Sequence, residues 1–383
     1  MSSGWTTPED IAAKVRRRWD DGSLLRTYAD GGSFEPIEVA LRGPKPGQIG
    51  DDIAGARDWV AALDAGRRND VRYRLEWKSV GGRQIGRNQL PVRAVVGSPE
   101  QVWALLGVSA AVRRFDELLA SVGRHPRIRD WIVANPHRAL ALASEMPRLI
   151  AAYEWLDSHR RSQRYLREIS APGVDTKFAE RYRSDLAGML GVSATSSGFL
   201  RDLGLRSKPA LVRLRPARSL GLPAPLTELA VRSVELAALS LRPRVAVIVE
   251  NEISYLSVEV PDDGVVFWGK GFEVDNVGRL PWLTDAEVVY WGDIDTHGFA
   301  ILDRLRAWLP TTRSALMDRE TLLAHRDRWV SEDRPASSML NRLRSDERDL
   351  YTELVEDRLG VKVRLEQERI DWRWVQQWLQ DNL

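Results

Sequence analysis

Acidic residues crowd the ends of two apolar runs in this chain of 383 residues. In 288-VVYWGDIDTHGFAIL-302, Asp293 and Asp295 follow the run directly, with His297 and Gly298 immediately behind. In 244-RVAVIVENEISYL-256 a second run ends on Glu250, and Glu252 lies two residues on. Residues i and i+2 of an extended chain share one face, roughly 6.5 Å apart, so Asp293 and Asp295 can share one hydrated ion. Ionised carboxylates that close repel and raise one another's pKa. A hard cation such as Mg²⁺ or Mn²⁺ removes the conflict, because such ions prefer oxygen ligands. With no cysteine in the chain, any metal must sit on oxygen or imidazole.

Taken alone, D-I-D is more often a solvated turn or a cap, and Asp295 would cap a helix starting near Gly298. The buried strand before it, the His-Gly behind it and a second strand ending in Glu250 shift the balance towards an ion site. If the two strands are neighbours, Glu250, Asp293 and Asp295 converge at one sheet edge, where open α/β sheets bind ligands. His297 is either a phosphate or leaving-group contact or a helix-terminus residue. In 269-GKGF-272, Lys270 stands between glycines, as a catalytic contact to a scissile phosphate or an exposed loop lysine. In 365-LEQERIDW-372, Glu366 and Glu368 are second-metal ligands or partners of Arg364 and Arg369 on a helix surface. Glu252 is an auxiliary ligand candidate.

The elements that must position these groups follow from pattern. Pro8, Glu9 and Asp10 open a helix that Gly22 stops, and Ile37–Leu41 is a short strand candidate. DDIAGARDWVAALDAG is an amphipathic helix with Ile53, Trp59, Val60 and Leu63 inward. VRYRLEWKSV alternates, with Val71, Tyr73, Leu75 and Trp77 on one face and Arg72, Arg74, Glu76 and Lys78 on the other. From Ser98 to about His159 the pattern is helical, broken at Gly123, Pro126 and Pro136; Pro172-Gly173 makes a turn, and Asp175 or Thr176 caps the next helix. RSKPALVRLRPA is basic and alternating, and TELAVRSVELAALSL reads as a helix with Leu229, Val234, Leu236 and Leu239 on its apolar side. From Arg244 the texture changes: uninterrupted apolar runs alternate with helical stripes such as Phe299, Leu302, Leu305 and Leu309. That is an α/β domain beginning near residue 243.

The length calls for two or three domains, and 43% hydrophobic with 29% charged residues is a soluble, globular balance. Neither a membrane-spanning run nor an apolar signal core is visible, so the expected location is the cytoplasm and no membrane partner is expected. The net charge of +2 hides an asymmetry: residues 1–240 hold 37 Lys+Arg against 27 Asp+Glu, and residues 241–383 hold 19 against 27. A basic front suits a polyanion and an acidic back suits a divalent cation.

In their order, 248-IVENEISYL-256, GKGF, 290-YWGDIDTHGFAILDRLR-306 and 365-LEQERI-370, together with 172-PGVDTKFAERY-182 in the front half, resemble the JetD-type nuclease subunits of Wadjet plasmid-defence systems. The resemblance implies a Toprim domain over 243–383, a parallel sheet flanked by helices similar to that of the type IIB topoisomerase A subunit. Before it would come a mixed α+β, basic arm region over 1–175 and a winged-helix-like DNA-binding region over 176–242. It makes Glu250 the Toprim glutamate and Asp293 and Asp295 the D-x-D metal pair, with Mg²⁺ or Mn²⁺ as cofactor. It further implies a homodimer that cleaves circular plasmid double-stranded DNA beside an SMC-like ATPase, a kleisin and accessory subunits.

The topoisomerase relatives carry a nucleophilic tyrosine in the winged-helix part; this chain has none between Tyr182 and Tyr255. Hydrolysis by metal-activated water is therefore expected instead of strand passage. Lys177, Arg181, Arg206, Lys208, Arg213, Arg215 and His297, with Arg72 and Arg74, are the candidates for phosphate contacts without base readout. Two other readings stay open. D-I-D-T also fits the nucleophile motif of haloacid-dehalogenase-type phosphatases, with Asp293 phosphorylated and Asp295 as acid/base. A non-catalytic DNA-binding scaffold would use the acids to hold a structural ion.

Overall fold

The computed structural model describes residues 4–45, 48–49, 52–82, 86–222 and 225–383, with backbone alone for 80–82 and 86–88. The chain divides into two compact units, residues 1–207 and 208–383, each built on its own apolar core.

The first unit opens on the Pro8–Asp20 helix, where Thr7 and Asp10 form a reciprocal capping box. Gly22, at φ 75°, turns the chain into a second helix, Ser23–Ala29. Strands β1 (Ile37–Ala40), β2 (Arg74–Gly82) and β3 (Gly86–Val96) form an antiparallel sheet in the order β1-β3-β2. The alternation holds at Tyr73 and Leu75, which are buried, but Trp77 is exposed. At that point the ladder is irregular: Glu76 pairs with Arg93 and Trp77 with Pro91, which leaves Val92 of β3 as the extra, unpaired residue. Helices Pro99–Leu106, Ser109–Ser121, Pro126–Ala134, Pro136–Ala141 and Met146–Ser158 follow, two of them starting on the prolines that break the pattern, Pro126 and Pro136. Asp175 caps the Thr176–Arg181 helix, accepting the Phe178 N–H at 2.7 Å.

The stretch 176–242, expected as one winged-helix-like region, is shared between the units. Its helices Thr176–Arg181, Arg183–Leu190 and Ser196–Leu203 pack into the first core. Its strands β4 (Leu211–Pro216) and β5 (Leu229–Arg232) hydrogen-bond into the sheet of the second. The helix expected over TELAVRSVELAALSL is therefore mostly absent. Leu229–Arg232 pairs antiparallel with β4, and only Ser233–Ala237 is helical. The open edge of β4 offers partners to the inward-facing backbone groups of 229–232, which outweighs a short helical stripe. Leu236 is buried beneath it, while Val234 is 74% exposed.

The second unit is a six-stranded sheet in the order β5-β4-β7-β6-β8-β9, with β6 (Val245–Val249), β7 (Gly264–Trp268), β8 (Glu287–Trp291) and β9 (Arg313–Ser314). Strands β6 to β9 are parallel, but β4 runs against them and β5 against β4, so the sheet is mixed and not the purely parallel one expected. Every residue of β6 is buried, as its unbroken apolar run requires. From β6 the chain passes to β7 on one side and then to β8 on the other. This reversal opens a crevice beyond the carboxyl end of β6, the place where such sheets bind ligands. Two short strands, β10 (Val330–Ser331) and β11 (Val363–Arg364), pair antiparallel. Among the described residues no helix is long and apolar enough to cross a membrane.

Candidate metal centre

Glu250 and Asp293 stand just past the carboxyl ends of β6 and β8, which are hydrogen-bonded neighbours in register from Val245↔Glu287 to Val249↔Trp291. The pairing extends one step further, the Glu250 N–H donating to the Trp291 carbonyl at 3.0 Å. Both carboxylates line one cleft of about 210 Å³ together with Asn251, Arg364, Glu366 and Glu368. The sheet thus brings four of the sequence-predicted acids to one opening.

Two close approaches shape it. The buried Tyr290 hydroxyl donates to Glu250 Oε2 at 3.0 Å. A Cβ on Gly292 would sit 2.6 Å from that hydroxyl and 2.9 Å from the carboxylate. A Cβ on Gly298 would fall 2.1 Å from the Asp293 carbonyl, so the helix behind D-x-D can start this near the strand only on a glycine. Gly292→Ala is expected to cost about 1–3 kcal/mol by overpacking and to swing Glu250 off Tyr290. A thermal melt indistinguishable from the wild type would refute this reading.

Asp295 has a different task. Its Oδ1 accepts the Gly298 N–H at 2.6 Å and caps the Thr296–Arg306 helix. It is only 3% exposed and does not line the cleft. Burial foremost, then nearby Glu332 and Asp293, push its carboxyl up to about 6 against the pull of Gly298 and Arg364. Burial, followed by the charges of Asp293 and Asp295, pushes Glu250 up to about 7.

The far wall comes from the carboxyl-terminal segment. Leu365 and Ile294 exchange backbone hydrogen bonds at 2.9 and 3.1 Å. The Gln367 N–H donates to Asp293 Oδ1 at 2.8 Å. The buried Gln367 side chain donates to the Trp291 carbonyl at 2.7 Å and accepts the Asn251 N–H at 2.6 Å. Arg364 sets Nη2 2.6 Å from Asp293 Oδ2, Nε 3.0 Å from Asp295 Oδ2 and Nη1 3.5 Å from Glu366. Glu366 also pairs with Arg369 at 2.8 Å, and Glu368 accepts from Asn251 Nδ2 at 3.2 Å.

Sequence reasoning missed Arg364, Gln367, Tyr290 and Glu332 as parts of the site. Glu332, 2% exposed, accepts from the Thr296 hydroxyl at 2.7 Å, and nothing in its short, irregular neighbourhood marks it. Other predicted residues are engaged elsewhere. Glu252 is ion-paired to Arg213, which also holds Glu228 at 2.6 Å, so it does not turn to the cleft. Arg215 donates to the carbonyls of Tyr255, Leu256 and Val258. Lys270, at φ 50°, pairs with Glu273 at 3.0 Å. His297 Nε2 lies 2.7 Å from the Arg334 carbonyl. Lys177, Arg181, Arg206, Lys208 and Arg74 are exposed, and Arg72 is half-buried. Tyr255 is fully buried with its hydroxyl on Glu228 at 3.0 Å, so it is no surface nucleophile.

The donor set suits a hard divalent ion, being all oxygen, and the Arg364 guanidinium already stands as a cation among those carboxylates. Among the described residues, no three acidic or histidine side chains are gathered tightly enough to hold an ion as they stand. Glu250 and Asp293, with Glu366 and Glu368 across the cleft, are the residues that would hold one. Family comparison agrees with the division of the chain. Residues 204–379 match the model described as Wadjet protein JetD, C-terminal. Residues 8–191 match that of an uncharacterized protein conserved in bacteria, N-terminal (DUF3322). No curated protein matches the chain. With a DUF3322 domain in front and the JetD carboxyl-terminal domain behind, the chain belongs to the JetD family of Wadjet anti-plasmid defence proteins.

Proposed function

We propose that this chain is a Toprim-type, metal-dependent endonuclease that hydrolyses double-stranded plasmid DNA beside an SMC-like ATPase complex. The observation that carries the proposal is the meeting of Glu250 and Asp293 beyond adjacent parallel strands at the switch point of the sheet. A bound Mg²⁺ or Mn²⁺ would supply Lewis acidity and neutralise charge at the phosphodiester. The chain's own residues do the rest. Tyr290 and the Asp293 N–H fix the Glu250 carboxylate. Asp295 anchors the helix that begins behind the aspartates, and Gln367 holds Asp293 by its backbone N–H. Exposed Lys177, Arg181, Arg206 and Lys208 are the residues proposed to hold backbone phosphates, and they read no base. Among the described residues the tyrosines near the carboxylates, Tyr290 and Tyr255, are buried and bonded, so water is the nucleophile of this reading.

Closed-circular plasmid incubated with the full chain and its partner complex tests the proposal. Cleavage should require Mg²⁺ or Mn²⁺ and stop with EDTA. Asp293→Asn should lower the rate by about 10³-fold while leaving DNA retention in a gel shift within a few-fold. Cleavage that survives EDTA, or that Asp293→Asn leaves intact, rules the proposal out. An acyl-phosphate trapped on Asp293 would establish the phosphatase alternative instead. DNA retention with no cleavage under any ion would establish the scaffold.

A further inference from the structure

Arg364 stands among the carboxylates of the cleft and its mouth. Its guanidinium reaches three carboxylates, with Nη2 2.6 Å from Asp293 Oδ2, Nε 3.0 Å from Asp295 Oδ2 and Nη1 3.5 Å from Glu366 Oε1. Guanidinium groups only donate and do not lose their charge, so this one neutralises part of a cluster that would otherwise repel itself. Both Asp293 oxygens already accept a bond: Oδ2 from Arg364 and Oδ1 from the Gln367 N–H. A cation seeking an Asp293 oxygen therefore competes with Arg364 for it.

The backbone that carries Arg364 is fixed independently of its side chain. Residues 363–364 form β11, paired with β10, and Leu365 is bonded both ways to Ile294. The side chain is only half-buried, so the fork can turn outward while its stem stays in place. The cluster also holds more negative charge than one guanidinium balances: Glu250, Asp293, Asp295 and Glu366 surround it, with Arg369 on Glu366 alone.

We propose that Arg364 is a tethered counter-cation to the clustered carboxylates and must leave Asp293 and Asp295 for a divalent ion to enter. The proposal rests on the metal reading given above and adds the residue that sets how tightly the ion is held. Arg364 keeps the carboxylates gathered before the ion arrives, and it exacts its release when the ion binds. The liberated fork then lies at the rim of the same cleft, where the nearest acceptor of matching geometry would be a phosphodiester of the substrate.

Titration with Mn²⁺ alone, followed by calorimetry on the full chain, tests this without reference to cleavage. Arg364→Gln should bind Mn²⁺ about tenfold tighter than the wild type, the loss of one charge-assisted competitor. Asp293→Asn should lose the binding, which locates the ion. Arg364→Met, which keeps an unbranched stem, replaces the Gln variant if that one does not fold. Equal or weaker Mn²⁺ binding by a folded, neutral variant overturns the proposal, because it would show that bracing the carboxylates outweighs any competition with the ion. Absence of Mn²⁺ binding by the wild type and both variants would instead remove the metal reading itself.

Discussion

Glu250→Gln is expected to abolish divalent-ion-dependent plasmid cleavage and, in the same protein, to raise its melting temperature at pH 8 without metal. The first effect follows from losing a charged ligand at the end of β6, a loss of about 10³-fold or more. The second follows from linkage. Burial and the neighbouring aspartates move the Glu250 carboxyl from the ordinary 4.5 to about 7. A carboxyl raised on folding stabilises the folded chain fully below its unfolded value, and that contribution is lost as pH climbs through the folded value. Above pH 7 the folded chain carries a buried charge that the unfolded chain does not, a penalty of roughly 3 kcal/mol. Glutamine can still accept from Tyr290 and carries no charge. The two proteins should therefore melt together near pH 5 and diverge between pH 5 and 8, with the variant higher. Added Mg²⁺ or Mn²⁺ should close the gap by stabilising only the wild type. A variant that melts below the wild type at pH 8 would contradict the electrostatic account, whatever its activity.

Glu347→Ala is expected to remove about 3–5 kcal/mol from the stability of the second unit. Arg306 and Glu347 are each 3% exposed and meet through two parallel bonds of 2.5 and 2.8 Å. Glu347 also accepts from Ser314 at 2.6 Å and from the Arg344 N–H at 2.8 Å. Arg306 donates further to the Thr312 and Arg342 carbonyls. Burial works against ionisation of Glu347, yet Arg306, Ser314 and Arg344 together hold it below the usual carboxylate range. Its contribution is present at neutral pH and fades as the pH falls through the depressed value. Alanine leaves a buried guanidinium with no counter-charge, which is where the loss arises. The paired change Arg306→Met with Glu347→Leu should recover most of it, because two apolar groups leave no orphaned charge. Urea unfolding of the full chain reads both. A single variant within 1 kcal/mol of the wild type would mean that the pair is not desolvated as described.

Much of the second unit was legible because its strands are buried on both faces. RVAVIVE, VVFW and VVYW announce β6, β7 and β8 by composition alone, and Glu250 and Asp293 are then fixed at their ends. Strand order is another matter. That β6 lies between β7 and β8 is a property of the crossovers, and the convergence of the acids depended on it. The side chains that finish the cleft come from places without periodicity: Arg364 and Gln367 from a two-residue strand and the turn behind it, Glu332 from a similar pair. Their roles are set by what they face across the fold. Asp295 shows the same limit in reverse. D-x-D spacing is compatible with a shared ion and with a cap, and only the position of the Gly298 N–H shows the cap to be made. At β5 a helical stripe lost to an open strand edge, a competition that local pattern does not register.

The clasp of Leu365 and Gln367 on the D-x-D loop also bears on the order in which the protein is made. Glu250 and Asp293 leave the ribosome well before residues 363–369, so the carboxylates exist for a time without Arg364 between them and without the Gln367 N–H. A chain truncated before Val363 would lack both the Arg364 guanidinium and the Gln367 N–H that hold Asp293. The cleft is thus gathered only when a segment some seventy residues further along the chain docks on the D-x-D loop.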